Sequence, residues 1–323
     1  MRSETIFRAL ADSTRLRIMR LIAAMELAVG EVAQVLGQSQ PRVSRHIGIL
    51  CEAGLAERRR EGSWTFLRAA GGKPGGDPIE VALAQLLALA EQHDPEFANT
   101  CQEDRRKLAA IRSAREAEAE EYFAVHAEDW DELRRLHSSD DRVEDALSAA
   151  LAGHSLGRVL DIGTGTGRMA ELFAAHADHI VALDKSLAML RVARAKLQHL
   201  PTDRVELVQG DFEQLPLPAN SIDTVLFHQV LHFAQDPASA LREAARVTRD
   251  GGRIAIVDFA AHQREDLRER HAHARLGFED GPLADMLRAA DFAPEPPIAL
   301  DDGELVIKIW TGERLPTAQE VSL

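Results

Sequence analysis

The sequence predicts two domains in series: a small helical head ending in a β-hairpin, and a larger doubly wound α/β body with a seven-stranded sheet. Three observations predict this. Over residues 1–70 apolar residues recur at helical spacing and then give way to two short runs about Glu61-Gly62. From Gly157 onward short apolar runs alternate with helical stretches, the pattern of a parallel sheet covered on both faces. At the first of these runs stands Val159-Leu160-Asp161-Ile162-Gly163-Thr164-Gly165-Thr166-Gly167. It reads as a buried strand entering a glycine-rich turn, where backbone without Cβ lets a ligand approach closely.

In the head, Ile6, Leu10, Leu16, Ile18, Leu21 and Ile22 supply apolar helix faces, and Asp12-Ser13-Thr14 makes a turn and cap. Val29 to Leu36 reads as a short helix stopped by Gly37. Pro41 suits the first turn of the next helix, which runs to about Cys51. Val43, Ile47 and Leu50 form its apolar side. Ser39, Gln40, Arg42, Ser44, Arg45 and His46 lie near its start and on its other side. A helix, a tight turn and a second helix with such a start is the arrangement that reads base edges in a major groove. The hairpin that follows carries Arg58, Arg59 and Arg60, expected to lie along phosphates.

The head resembles the ArsR family of winged-helix repressors. The likeness rests on Leu10-Ala11-Asp12-Ser13-Thr14-Arg15-Leu16-Arg17-Ile18, Ser39-Gln40-Pro41-Arg42-Val43-Ser44-Arg45-His46 and Ala53-Gly54-Leu55. It implies binding of double-stranded operator DNA through residues 1–70. Many members sense metals with two cysteines in a Glu-Leu-Cys-Val-Cys-Asp-Leu stretch. Here that stretch is Glu26-Leu27-Ala28-Val29-Gly30-Glu31-Val32, so the soft ligands of that site are absent.

Composition limits the partners. The 323 residues carry a formal net charge of −14. Residues 1–70 hold 11 Arg against 7 Asp and Glu, so a modestly basic head sits on a strongly acidic body. Only the head is suited to a polyanion. Cys51 and Cys101 provide neither a disulfide framework nor a metal cluster. The N-terminus has no signal-peptide pattern, and the most apolar run, Ile79 to Ala90, is too short to span a membrane. A cytoplasmic setting is expected.

Residues 71–102 read as a linker, Gly71-Gly72-Lys73-Pro74-Gly75-Gly76, and a helix with Ile79, Leu83, Leu86, Leu87 and Ala90 on one face. In the resembled repressors a helix here pairs across a homodimer; packing within the chain is the alternative. Residues 103–156 read as a helical connector, with a long helix or two over Glu103–Leu136. Its aromatic residues Tyr122, Phe123 and Trp130 are candidates for a lid, since methyltransferases of the ubiquinone/menaquinone-biosynthesis type begin with a similar segment. Simple docking on the body is the other reading.

The body, residues 157–323, has strands expected at Arg158–Ile162, Ile180–Asp184, Val205–Gln209, Ile222–Phe227, Arg253–Phe259 and Leu305–Trp310. Ligand groups in such a sheet sit just beyond the strands' carboxyl ends. A dinucleotide fingerprint would need a third glycine where Arg168 stands. The spacing Gly163, Gly165, Gly167 with Asp161 ahead instead resembles motif I of the Rossmann-like class I S-adenosylmethionine (SAM) methyltransferases. The resemblance implies that Asp161 faces the methionine amino group and that Gly163, Thr164, Gly165 and Gly167 pass beside methionine and ribose. Asp184 ends the second strand, where an acid accepts ribose hydroxyls. By the same resemblance Lys185 and Met189 line the adenosine, Asp211 receives the adenine amino group and Phe212 flanks the ring. Glu243, Arg246-Val247 and Gly251-Gly252 resemble a later motif, with Asp250 in place of its usual proline.

His228 and His232 follow the fourth strand. Their spacing admits a metal reading, but Gln229 replaces the glutamate that a metalloprotease needs, and no third ligand is evident. No metal is expected. His228 is the candidate to touch SAM or take an acceptor's proton; His232 is read as packing or helix-start chemistry. Neither cysteine suits arsenite methylation, and Phe227-His228-Gln229-Val230 lacks the motif of nucleic-acid methylases. The expected function is a DNA-binding regulator, a repressor, whose body binds SAM or S-adenosylhomocysteine (SAH) as a sensor of methylation status. The alternative is an active small-molecule methyltransferase that also regulates its own operon.

Overall fold

The computed structural model describes residues 2–70, 78–131, 140–201, 203–301 and 303–316. The expected glycine-rich linker at 71–76 lies outside them. The chain divides into two compact units, one up to Ala117 and one from Glu118 onward.

The first unit begins with α1 (Arg2–Leu10) and α2 (Ser13–Ile22). Asp12 caps α2 by accepting the Arg15 N–H at 3.0 Å. A two-residue strand, β1 (Leu27–Ala28), leads into α3 (Val29–Leu36), which Gly37 stops with a left-handed φ of 62°. Then come α4 (Gln40–Glu52), β2 (Ala56–Glu61) and β3 (Trp64–Ala69). Val43, Ile47 and Leu50 are fully buried at i, i+4, i+7, which turns the opposite face of α4 to solvent. Glu61 pairs with Trp64, so the hairpin turns at Gly62-Ser63, one residue later than expected. β3 also pairs with β1 and closes a three-stranded sheet.

The helix α5 (Pro78–His93) has two apolar stripes. Leu83 and Leu87 join the head's core. Ile79, Leu86 and Leu89 stay 46%, 54% and 52% exposed. The single face expected of this helix is therefore shared between its own chain and solvent. The charged stretch after it opens with α6 (Pro95–His126), which begins earlier than Glu103 because Asp94 caps it through the Glu96 and Phe97 N–H groups; the end of the expected helical stretch, 132–136, lies outside the described residues. Arg17 on α2 grips Asp104 on α6 with two bonds of 2.7 and 2.6 Å, and Asp104 is 2% exposed. Arg115 bonds Glu31 at 2.7 Å and lies over the Trp64 ring. Glu31, buried at the start of α3, also accepts the Ala28 N–H.

The second unit contains α7 (Asp140–Leu151), β4 (Arg158–Ile162), α8 (Arg168–Phe173), β5 (His179–Asp184), α9 (Leu187–Leu197), β6 (Val205–Gln209) and β7 (Ile222–His228). A 3₁₀ turn (Leu231–Phe233), α10 (Pro237–Val247), β8 (Thr248–Phe259), α11 (Glu265–Arg270) and α12 (Asp280–Ala289) follow, then β9 (Phe292–Pro294), β10 (Ile298–Leu300) and β11 (Ile307–Arg314). The sheet order is β10-β11-β8-β7-β4-β5-β6, with β9 also on β11. Strands β4 to β8 are parallel, and β11 is antiparallel to β8. All six strands read from the sequence form, and among the described residues the sheet has eight strands rather than seven. The additions, β9 and β10, are three residues each, too short to carry a period.

Alternation along the strands sends Leu160, Ile162, Val181, Val225 and Ile254 to one core, against α10 and α12. Val159, Ile180, Ala182, Leu226 and Ala255 face the other, against α7, α8 and α9. From β4 the chain winds outward through β5 and β6, then returns to the other side of β4 as β7. The strand order reverses there, where a doubly wound sheet opens a ligand crevice at its carboxyl edge. Among the described residues no helix is long and apolar enough to cross a membrane.

Replacing Asp104 by Ala leaves the Arg17 guanidinium, only 21% exposed, without its carboxylate. The head should lose about 2 kcal/mol, read as an earlier denaturant transition of the full chain.

Candidate cofactor site and nucleic-acid interface

The glycine turn opens at the end of β4. Gly163, Gly165 and Gly167 have φ of 68°, 55° and 87°, a region that L side chains avoid. Space is short as well: a Cβ on Gly163 would run into Val230, and one on Gly167 into Leu197. The Thr164 N–H donates to Leu183 O at 2.9 Å and ties the turn to β5. Asp161, 1% exposed, accepts the Thr164 hydroxyl at 2.6 Å.

Asp184 ends β5 beside this turn. One of its oxygens accepts the Gly165 N–H at 2.8 Å and the other the Ser186 N–H at 2.8 Å. Burial pushes its carboxyl up; the N–H groups of Ser186, Gly165 and Lys185 pull it back. Its two oxygens have about four lone-pair directions, and three N–H groups approach them, which leaves capacity for a further donor such as a ribose hydroxyl. Beyond β6, Asp211 accepts Lys185 Nζ at 3.0 Å and the Glu213 N–H at 2.9 Å. Phe212 packs against the core and Met189 is buried in α9. Arg246 donates to the carbonyls of Leu215 and Leu217, while Glu243 accepts the Leu215 N–H. That pair holds the segment following Asp211 and Phe212. These donors and acceptors fit an adenosine with a short zwitterionic tail.

Part of the second unit before the sheet lies on the turn. Trp130 Nε1 is 3.6 Å from where a Gly165 Cβ would stand. The Thr166 hydroxyl donates to Asp131 at 2.6 Å, and Lys196 also meets Asp131. Phe123 packs edge-on against Trp130 at 5.3 Å and against Phe233 at 4.8 Å. The Tyr122 hydroxyl and His271 Nδ1 are 2.8 Å apart. Sequence reasoning singled out the three aromatics but missed Asp131, Phe233 and His271. Their partners lie tens of residues away, and no local pattern marks them.

His228 ends β7 and is nearly buried. Gln229 next to it takes a left-handed φ of 53° while donating its N–H to Val257 O at 2.7 Å. His232 Nδ1 is 2.8 Å from Asp258 Oδ1, and Asp258 is fully buried at the end of β8. Among the described residues no group of three or more His, Cys, Asp and Glu could hold a metal ion.

In the head, Ser39, Gln40, Arg42 and Arg45 are exposed around the first turns of α4. Ser44 and His46 are half-buried; His46 Nδ1 lies 3.5 Å from Asp12, and Ser44 O accepts Arg58 Nη2 at 2.9 Å. The three hairpin arginines divide by strand alternation. Arg58 and Arg60 face solvent. Arg59 turns inward, bonded to Glu26 at 3.2 and 3.0 Å and to Glu61 at 2.8 Å, over the Phe66 ring. Burial works against its charge, and the two carboxylates more than offset it, so its pKa stands above the usual arginine value.

SAM affinity should fall as pH drops through the raised Asp184 pKa, because a proton there takes up acceptor capacity that a ribose hydroxyl would use. The fold responds in the opposite sense: a raised pKa favours the folded state at low pH, and that contribution is lost as pH rises through it. Calorimetric titration of Asp184→Asn should show weaker binding without this acid limb. In the head, Arg59→Ala should lower stability by about 2 kcal/mol, since Glu61 is 4% exposed. Arg58→Ala and Arg60→Ala should leave thermal unfolding within about 0.5 kcal/mol and flatten the salt dependence of DNA binding.

Comparison with known proteins bears on both units. Residues 160–256 match the profile of a methyltransferase domain, and residues 12–58 match that of bacterial regulatory proteins of the arsR family. The demethylmenaquinone methyltransferase of Clavibacter sepedonicus is 38% identical over 115 residues, 36% of this chain and 46% of that one. A ubiquinone/menaquinone biosynthesis C-methyltransferase of Hahella chejuensis is 39% identical over 106 residues, 32% of this chain and 43% of its own. The chain thus spans less than half the length of these curated relatives. Among solved structures, the Haloferax volcanii methyltransferase in complex with its Trm112 activator superposes with a TM-score of 0.50 at 21% identity, over 60% of this chain and 98% of that one, which speaks to the fold alone. The chain joins an arsR-type helix-turn-helix to a methyltransferase domain of the class I, SAM-dependent fold.

Proposed function

We propose that this protein is an active SAM-dependent methyltransferase of a small aromatic acceptor, and that its head binds operator DNA and regulates its own operon. The observation that carries the enzymatic reading is the aromatic wall. A sensor of SAM needs only the cofactor groups at the ends of β4 to β6. Here Phe123, Trp130 and Phe233 add a ring-lined surface next to the glycine turn, fastened by Asp131 to Thr166. Relatives named for demethylmenaquinone and ubiquinone methylation support the same acceptor class.

Bound SAM supplies an activated methyl group on a sulfonium. The chain's own residues bind, align and keep water out. Asp161, Asp184 and Asp211 would hold the amino, ribose and adenine groups, and the glycines give the backbone its close approach. The head would read bases with Gln40, Arg42 and Arg45 and meet phosphates with Arg58 and Arg60. A homodimer would present two such heads, and Ile79, Leu86 and Leu89 of α5 offer it an apolar stripe. A cytoplasmic location fits a DNA-binding head.

Sensing by SAM or SAH is the second reading, favoured by one observation. Helix α6 carries both Arg115, which bonds Glu31 at the start of α3, and Tyr122 of the aromatic segment. A ligand acts this way only if it binds two arrangements of the protein unequally.

Incubation of the full chain with SAM and a chemically reduced naphthoquinone should release SAH and a methylated product. SAM that binds without turnover on this and related phenols would leave the sensor reading in place. Anisotropy with DNA from the gene's own upstream region should show specific binding, weakened by about 1–3 kcal/mol in Arg45→Ala if that residue reads a base.

A further inference from the structure

We propose that His232, oriented by Asp258, is the group that removes the acceptor's proton, and that the acceptor presents an acidic hydroxyl on a flat ring. This rests on the enzymatic reading above and assigns the proton transfer within it.

The geometry comes first. Asp258 Oδ1 faces His232 Nδ1 at 2.8 Å, Oδ2 accepts the His232 N–H at 3.1 Å, and the Phe259 N–H donates to Oδ1 at 2.7 Å. A carboxylate only accepts hydrogen bonds, so the proton of a neutral His232 sits on Nδ1 and the Nε2 lone pair is left for another group. Among the described residues no hydrogen-bonding partner meets Nε2. A histidine placed for packing alone needs no buried carboxylate, and a fully buried Asp258 is expensive to keep unless it is well bonded.

The surroundings define the class of acceptor. Rings enclose His232: Phe233 at 4.0 Å, His273 at 4.2 Å and Phe259 at 5.2 Å between centroids. Phe233 continues to Phe123 and Trp130, and Trp130 rests on Gly165. Two residues before His232, Val230 abuts Gly163. The histidine therefore stands between the cofactor turn and the aromatic wall. Among the described residues the titratable groups that meet the His232 ring are Asp258 and His273, and the Arg275 backbone N–H donates to the His232 carbonyl.

The step balances. The acceptor oxygen forms its bond to the methyl carbon as the sulfonium–methyl bond breaks, and that electron pair stays on sulfur. The hydroxyl proton passes to His232 Nε2. The positive charge lost from sulfur appears on the imidazolium, beside the Asp258 carboxylate that stabilises it.

The test uses the full chain with two probe acceptors, catechol and the more acidic 4-nitrocatechol, and histidine-labelled protein for nitrogen NMR. Wild-type His232 should show its neutral proton on Nδ1, and Asp258→Asn should shift it toward Nε2. His232→Gln should lower kcat on catechol by about 10²–10⁴-fold with SAM affinity within about twofold. Its deficit on 4-nitrocatechol should be at least about tenfold smaller, because an acidic hydroxyl needs less help to ionise. Equal deficits on both probes, or a wild-type proton on Nε2, would overturn the assignment without recourse to the Asp258 variant's folding. Wild type that binds SAM yet methylates neither probe overturns the acceptor class. Failure to bind SAM at all overturns the enzymatic reading beneath it.

Discussion

Space at the end of β4 governs the second unit. Residues 163, 165 and 167 need left-handed backbone, and Val230 and Leu197 fill the volume where side chains at 163 and 167 would stand. The turn can close in this way only without Cβ atoms. Closing it delivers the Gly165 N–H to Asp184 and the Thr164 N–H to Leu183, which locks β4 to β5 at the ligand edge. It also brings Val230, and with it the turn bearing His232, against the cofactor loop. Trp130 then rests on Gly165 from the other direction. Cofactor groups and aromatic wall are thus arranged about one stretch of bare backbone.

The head applies a different economy of charge. Its surface could have spread its arginines evenly, but strand alternation and the distribution of glutamates sort them. Arg59 is held by Glu26 and Glu61, Arg17 by Asp104 and Arg115 by Glu31, so these serve the fold. Arg42, Arg45, Arg58 and Arg60 keep their exposure and form the cationic side. Where the resembled repressors carry thiolates, Ala28 and Gly30 stand, and Glu31 beside them is committed to Arg115 and the Ala28 N–H. The region keeps its place in the fold, and its buried acid is held by an ion pair.

Much of this was legible in the sequence. The helix and strand periods located α3, α4 and six strands of the sheet, and Gly37 and Pro41 marked helix ends through local backbone chemistry. The glycine spacing and the strand-end acids were legible because each lies within a few residues of the strand that positions it. What was not legible is long-range. Asp258 lies 26 residues from His232, and nothing local distinguishes it from any acid at a strand end. His271 meets Tyr122 across 149 residues. Arg58, Arg59 and Arg60 look alike until the hairpin register is known, and a shift of one residue would exchange the inward arginine with its neighbours. The β9 and β10 strands exist only because β11 offers them an edge.

The methyltransferase match spans residues 160–256, which contain the glycine turn, Asp184 and Asp211. Tyr122, Phe123, Trp130, Asp131, Asp258, His271 and His273 all fall outside it. Phe233 and His232 lie inside it, so the proposed acceptor wall combines the shared segment with stretches on both sides that meet it only in the folded body. Substitutions in the wall can accumulate without touching the cofactor turn, so descent can exchange one methylated compound for another while the shared segment stays recognisable. Kinship measured over that segment speaks first to the methyl donor, and most of the residues that would tell one acceptor of a class from another lie in the flanks.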